Sequence, residues 1–329
     1  MSKKLSLLNL KNCFYFFILS SPFLFLYLTL FILSMDVAPD RKDYINIMAF
    51  PFGGREEPLI HVYAYFSNIL LANPFYQLLI LQVLFVFLML LLFFKKFDVK
   101  NINGLTKVFI CLLVFLSVFS NMLGVQLRIG YATILFLFIV FFLNKKPGLY
   151  AIPFFILPCL MHSGLIVAVS LYYLFYFLKI DNLKKFSILF VFLIIFSSFI
   201  IKLLPLFFEF LGVSNYYLMY LQDDLSLGRK IPFSVLFYIF VTFFLFLKYQ
   251  KTNNIDFWYG VSGLVLVYTG FVLDFYVSFK MLVPISAFLY IYTIYKWDFD
   301  TYSSYLILIL ILILTPFSFI MFMNQVGLL

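Results

Sequence analysis

The feature that most constrains this chain is a succession of apolar runs, each near the length of a membrane span, separated by short polar connectors. A helix needs about 20 apolar residues to cross the hydrocarbon core, within a range of roughly 17–25. Lipid offers no partner to backbone N–H and C=O groups, so such runs must become helices that pair those groups internally. The runs predict helices at about 13–35, 75–94, 107–125, 129–143, 149–165, 165–178, 186–204, 232–247, 257–273, 281–295 and 303–323. The stretch 149–178 is interrupted by Pro153, Pro158 and Gly164, so the total is about 10–11 transmembrane helices. Only 11% of the 329 residues are charged, against about 25% in soluble domains. The expected fold class is all-α: a polytopic integral membrane protein forming a single transmembrane domain over 1–329.

Lysine and arginine set the expected orientation. Lys3, Lys4 and Lys11, then the short connectors with Lys95, Lys96 and Lys100, Lys145 and Lys146, Lys179, Lys184 and Lys185, Lys248 and Lys251, and Lys296, fit one cytoplasmic side. Two longer loops, 36–74 and 205–231, then fall outside. The first apolar run follows Met-Ser-Lys-Lys with no small-residue cleavage site, which reads as a retained signal anchor. The net charge of +9 is topological rather than a sign of nucleic-acid binding. Cys13, Cys111 and Cys159 are scattered, with no spacing for a disulfide framework or a metal site.

All four arginines, Arg41, Arg55, Arg128 and Arg229, fall on the external side in this topology, while every positive charge assigned to the cytoplasmic side is a lysine. Lysine would suffice if only charge were needed. Arginine adds a planar fork of donors that matches phosphate or carboxylate oxygens bidentately. The distribution suggests an outward-facing anion-binding cavity; longer external loops would also collect arginine by chance.

Arg128 stands in "LGVQLRIGYATILFLF", with no other charge between Lys107 and Lys145. An arginine at a helix centre costs about 2.5–3.5 kcal/mol on the translocon scale. A short external turn would relieve that cost; so would an anion, with Gln126 and Gly130 beside it. His162, in "PCLMHSGLIVA", lies at another external helix end. It is either a hydrogen-bonded packing residue or a proton-transfer group. Asp274 and Lys280 flank a later external end.

The first external loop carries Asp36, Asp40, Arg41, Lys42, Asp43, Arg55, Glu56 and Glu57. Within it, Leu59, Val62, Tyr63, Phe66, Ile69 and Leu70 predict an amphipathic interfacial helix over 59–71. The second loop sets Tyr216, Tyr217 and Tyr220 near Asp223, Asp224, Arg229 and Lys230. Rings beside carboxylates suit sugar binding, and equally an aromatic belt. No Walker motif, zinc-ligand pair or nucleophile elbow occurs. "DFD" (Asp298 to Asp300) has the letters of a nucleotide-sugar motif but no domain to carry it. ATP-driven pumping and nucleotide-sugar chemistry are therefore disfavoured.

Three stretches resemble the EpsG family of bacterial polysaccharide polymerases, which groups with the Wzy-type O-antigen and capsule polymerases. They are "DRKDYINIMAF" with "EEPLIHVYAYF", then "QLRIGYATILFLF", then "PCLMHSGLIVAVSLYYL". Lys280 stands where the family tends to have arginine. The resemblance implies a GT-C-like bundle in the bacterial cytoplasmic membrane. It implies a metal-independent glycosyltransferase without cofactors, acting on undecaprenyl-pyrophosphate-linked oligosaccharide repeat units at the outer leaflet. Arg128, with Arg41, Arg55, Arg229 and Lys280, would bind the pyrophosphate, and Tyr216 and Tyr217 the sugar. His162, Asp43, Glu57 or Asp223 would accept the proton. A flippase and a chain-length regulator are the implied protein partners. A lipid-linked oligosaccharide flippase or exporter, an O-antigen ligase and a polysaccharide-modifying acyltransferase are the competing readings; externally clustered charges favour a one-sided enzyme.

Overall fold

The computed structural model describes residues 39–51, 58–94, 127–210, 233–273 and 277–296, with Ser21, Phe25, Leu28, Thr29, Ile32 and Ile320. The expected spans at 107–125 and most of 13–35 and 303–323 lie outside the described residues. All described elements are helical: α1 (Pro39–Ala49), α2 (Pro58–Leu70), α3 (Pro74–Phe94), α4 (Leu127–Leu137), α5 (Ile152–Met161), α6 (Leu165–Phe177), α7 (Leu183–Phe210), α8 (Phe233–Tyr249), α9 (Ile255–Val261), α10 (Leu264–Val272) and α11 (Val277–Lys296). Among the described residues, three stretches are long and apolar enough to cross a membrane, Pro74–Leu92, Leu183–Ile201 and Ile255–Val272. Shorter apolar helices lie at Leu127–Phe142, Leu149–Met161, Leu165–Phe177, Ser234–Tyr249 and Ser278–Thr293, so the chain is a polytopic membrane protein. It divides into two compact units, one from Met1–Lys146, Pro153–Ser163 and Leu308–Leu329, the other from Pro147–Ile152 and Gly164–Ile307.

In the first unit, α1, α2 and α3 pack on one another and α4 packs on α3. Each of α1 to α3 opens on proline, whose fixed φ and missing N–H suit a first helical position. Asn73 caps α3, its Oδ1 accepting from the Phe75 amide at 2.9 Å. Helix α1 lies within the segment read from the sequence as the first external loop. Arg41, Tyr44 and Met48, at i, i+3 and i+7, form a buried stripe, while Lys42 and Asn46 face outward. Helix α2 bears out the expected amphipathic segment. Ile60, Ala64 and Ser67 point inward, and Val62, Phe66, Ile69 and Leu70 are exposed. An outward apolar stripe is what a helix facing lipid or the interface requires.

Helix α4 runs on into a π-helical turn, Phe138–Phe142. It closes through Asn144 at φ 53°, with the Lys145 amide donating to the Ile139 carbonyl at 3.1 Å. The Lys145 ammonium then lies 4.8 Å from the Phe154 ring centre, a cation–π contact. The rings of Phe136 on α4 and Phe155 on α5 meet edge-on at 6.1 Å.

In the second unit, the segment expected as one span, 257–273, is two helices broken at Ser262 and Gly263. A break inside lipid frees carbonyls that must find donors. Tyr238 of α8 supplies one hydroxyl to both the Gly260 carbonyl at 2.6 Å and the Val261 carbonyl at 3.2 Å. Glycine lets α11 approach: a Cβ on Gly260 would meet Leu289 Cδ1 at 2.8 Å, and one on Gly270 would overlap the Phe279 ring. Tyr176 and Tyr172 of α6 donate to Asp256 Oδ1 of α9 at 2.7 and 3.2 Å. In the turn before α7, the Lys185 ammonium hydrogen-bonds Asp181 at 2.9 Å and holds its carboxyl below the usual range. Helix α7 exceeds the expected 186–204 and exposes Ile188, Phe192, Ile195 and Phe199, a lipid-facing pattern.

Gly270→Leu is therefore expected to cost about 1–3 kcal/mol, the usual range for overpacking a close contact. Its melting temperature in detergent should fall. Gly148→Ala, with nothing within 4 Å of the added carbon, should melt as wild type does. Equal melting of the two variants would contradict the close packing of α10 on α11.

Candidate functional site

The first unit holds a polar cluster inside an apolar bundle. Arg41 of α1, Gln82 of α3 and Tyr131 of α4 are each 0% exposed. The Tyr131 hydroxyl donates to Gln82 Oε1. Its ring stacks on Phe85 at 4.4 Å and meets Tyr44 of α1 edge-on at 6.2 Å. Tyr131 is thus held from three sides.

Helix periodicity places both arginines beside this ring pair. Arg41 precedes Tyr44 by three residues and Arg128 precedes Tyr131 by three, so each lies one turn along the same face. Arg128 is half-buried at the start of α4. Asp43 is half-buried on α1 between Arg41 and Tyr44.

His162 follows the last residue of α5, half-buried, its amide donating to the Pro158 carbonyl at 3.0 Å. The Phe136–Phe155 contact sets the register of α4 against α5. Arg128 lies eight residues before Phe136 and His162 seven after Phe155, so both are about 10–12 Å from that contact at 1.5 Å per residue.

A hydrogen-bonded latch fixes α1, α2 and α3. The Gln77 amide donates to Asn68 Oδ1 at 2.8 Å and to the Leu71 carbonyl at 2.6 Å, and accepts from Ser67 Oγ at 3.1 Å. Tyr63 donates to the Gln77 carbonyl at 2.7 Å, and Asn68 Nδ2 to the Met48 carbonyl at 2.8 Å. His61 joins from α2. The Pro51 carbonyl can only accept, so Nδ1 carries the proton of their 2.7 Å bond. Nε2 is then buried with no hydrogen-bond partner.

Of the residues singled out in the sequence, Arg41, Asp43, Arg128 and His162 belong to this unit. Lys280 belongs to the second unit, exposed on the first turns of α11. Arg55, Glu57, Tyr216, Tyr217, Asp223 and Arg229 lie outside the described residues, as do Gln126 and Asp274. Among the described residues, no group of three or more His, Cys, Asp or Glu is placed to hold a metal ion.

The family model for EpsG matches residues 14–327. The chain belongs to the EpsG family. No curated protein and no solved structure matches it. Membership makes it a membrane protein of polysaccharide biosynthesis. The match spans all three segments that carried the resemblance.

For this EpsG-family chain, sequence reasoning missed Tyr44, Tyr131, Gln82, Gln77 and His61. A signal for the first two was present: "RKDY" and "RIGY" repeat an Arg-x-x-Tyr spacing at 41–44 and 128–131. Gln77 and Gln82 are amides within an otherwise apolar run, where each needs a partner.

Gln77→Leu tests the latch. It leaves the Leu71 carbonyl and the Asn68 side chain without their donor, at about 1–3 kcal/mol for each group left unsatisfied. The variant should melt earlier and be cut faster by protease within 39–70. Unchanged melting and cleavage would mean that the latch does not hold α1 in place.

Proposed function

We propose that the protein is a polysaccharide polymerase joining undecaprenyl-pyrophosphate-linked repeat units at the outer face of the bacterial cytoplasmic membrane. What supports this reading, besides the family, is the buried edge contact of Tyr44 and Tyr131, each one helical turn from an arginine, Arg41 and Arg128. Family membership supplies the polysaccharide context.

The reaction needs little besides fixed charge and a proton acceptor. A sugar hydroxyl of one lipid-linked unit attacks the anomeric carbon of another, forming the new C–O bond. The bond from that carbon to the pyrophosphate oxygen breaks, and undecaprenyl pyrophosphate leaves with the electron pair. The attacking hydroxyl's proton passes to a base. Negative charge grows on the leaving oxygens, where preorganised donors in a dry site act most strongly. Guanidinium groups match those oxygens bidentately and stay charged. His162 or Asp43 takes the proton. The outward apolar stripe of α2 suits a site reached from lipid, as a polyprenyl substrate requires.

Arg128→Lys keeps the charge and loses the fork. Charge-assisted hydrogen bonds contribute about 1.5–3 kcal/mol, so polymerisation should slow roughly 10- to 100-fold at normal protein level. The measurement is the polymer ladder formed from a defined lipid-linked repeat unit in proteoliposomes. A full-length ladder at wild-type rate would overturn the role of Arg128.

His162→Ala should leave single lipid-linked units accumulating, read by mass spectrometry of extracted lipids. Normal turnover in this variant would move the proton acceptor to Asp43 or another carboxylate.

A further inference from the structure

We propose that one end of the second unit, where the turn between α6 and α7 meets the turn between α8 and α9, binds the headgroup of an anionic phospholipid through Lys179, Lys184 and Lys251. The inference is independent of the polymerase reading. The two turns are joined from within. The indole N–H of the buried Trp258 donates to the Asp181 carbonyl at 3.0 Å and to the Thr252 carbonyl at 3.1 Å. Its ring packs on Phe186 of α7 at 4.9 Å and meets Phe246 of α8 edge-on at 6.2 Å. Lys179, Lys184 and Lys251 are therefore carried on one fastened platform, and all three are exposed. None of them has a carboxylate partner among the described residues. The carboxylates at this end are occupied, Asp181 by Lys185 at 2.9 Å and Asn182 at 2.8 Å, and Asp256 by Tyr176 and Tyr172. The charge left over on the platform is positive.

Backbone geometry singles out Lys179. Helix α6 ends in a Schellman motif, with the Ile180 amide donating to the Phe175 carbonyl at 2.9 Å and the Lys179 amide to the Tyr176 carbonyl at 3.2 Å. Lys179 holds the left-handed position of that motif, at φ 49°. Glycine usually stands there, because a Cβ is penalised. A lysine gives this turn nothing that glycine would not, so its ammonium group is what distinguishes it. The apolar surroundings decide the class of partner. Lys184 heads a row on α7 that continues through Ile188, Val191, Ile195 and Phe199, spaced three or four residues apart on one face and all exposed. Such a row faces hydrocarbon, which puts Lys184 at the level where headgroups begin. Phe177, Leu178 and Leu183 are exposed beside the lysines. A soluble acidic partner would leave these side chains in water. A phospholipid supplies acyl chains for them and a phosphate for the ammonium groups, and its attraction grows with each charge.

Full-length wild type, Lys179→Gly, Lys184→Gln, Lys251→Gln and Lys42→Gln are purified in detergent. Each is titrated with phosphatidylglycerol and with phosphatidylcholine. Bound lipid is read by native mass spectrometry, and the melting temperature is followed in parallel. Wild type should retain phosphatidylglycerol in preference to phosphatidylcholine and melt higher with it. Each of the three changes on the platform should weaken phosphatidylglycerol binding about five-fold, the usual contribution of one basic residue at an anionic surface. Without added lipid, Lys179→Gly should melt no lower than wild type, because glycine suits the left-handed position. Its loss of binding is then not a loss of fold. Lys42→Gln removes an exposed charge from α1 of the first unit and should bind phosphatidylglycerol as wild type does. Equal retention of the two lipids by wild type overturns the inference. So does wild-type affinity in the three platform variants, or a loss of the same size in Lys42→Gln. Inorganic phosphate that raises the melting temperature as far as phosphatidylglycerol also overturns it, since the site would then take a free anion.

Discussion

Burying a guanidinium group is the constraint around which the first unit is built. Arg41 has no exposed surface, and the effective penalty for removing such a charge from water is several kcal/mol. Polar groups of other helices are buried in the same unit: the Tyr131 hydroxyl of α4 donates to Gln82 Oε1 of α3. Helix α1 has little apolar surface of its own. It stays in place through its Arg41–Tyr44–Met48 stripe and the Asn68 bond to the Met48 carbonyl. The polar cluster and the fold of this unit therefore stand or fall together.

The second unit meets a different demand of the bilayer, that of the backbone. Its broken pair α9–α10 frees carbonyls at Gly260 and Val261, and one tyrosine hydroxyl of α8 serves both. The break also leaves glycines facing α11, so the helices approach closely. Asp256, at the start of α9, is joined to α6 by two tyrosines. Hydrogen bonds here fasten helices that share no hydrophobic driving force within lipid.

The spans were legible in the sequence because lipid imposes their length, and α3, α6, α8 and α11 lie close to where the apolar runs put them. Arg128 and His162 were legible for a related reason: a lone ionisable group in an apolar run has few neighbours to hide among. Arg41 was legible as a charge, but its burial was not. The segment 39–49 is polar enough to read as a loop, and only packing against α2 and α3 makes its stripe an inner face. The break at Ser262 was hidden because Gly260 and Gly263 look like ordinary small residues of a membrane helix. The donor that serves its carbonyls, the Tyr238 hydroxyl, is more than 20 residues away in the chain. His61 was passed over as one more polar residue of an amphipathic helix. Its significance lies in Pro51, whose carbonyl fixes which ring nitrogen carries the proton.

The choice of arginine over lysine follows from the same low dielectric that makes Arg41 costly. In a dry bundle, a misplaced charge is penalised as strongly as a well-placed one is rewarded. A lysine ammonium is compact, strongly hydrated and set on a flexible stem, and it loses its proton readily when buried. A guanidinium keeps its charge and spreads five donors over a rigid plane, so one edge can be tied to protein while another remains for a ligand. Tyr131 of the same unit is fixed by stacking on Phe85 and by its bond to Gln82. The cost of desolvating the arginine is met when the protein folds. A cation desolvated in this way is already dry, and no solvent has to reorganise around it if charge develops nearby.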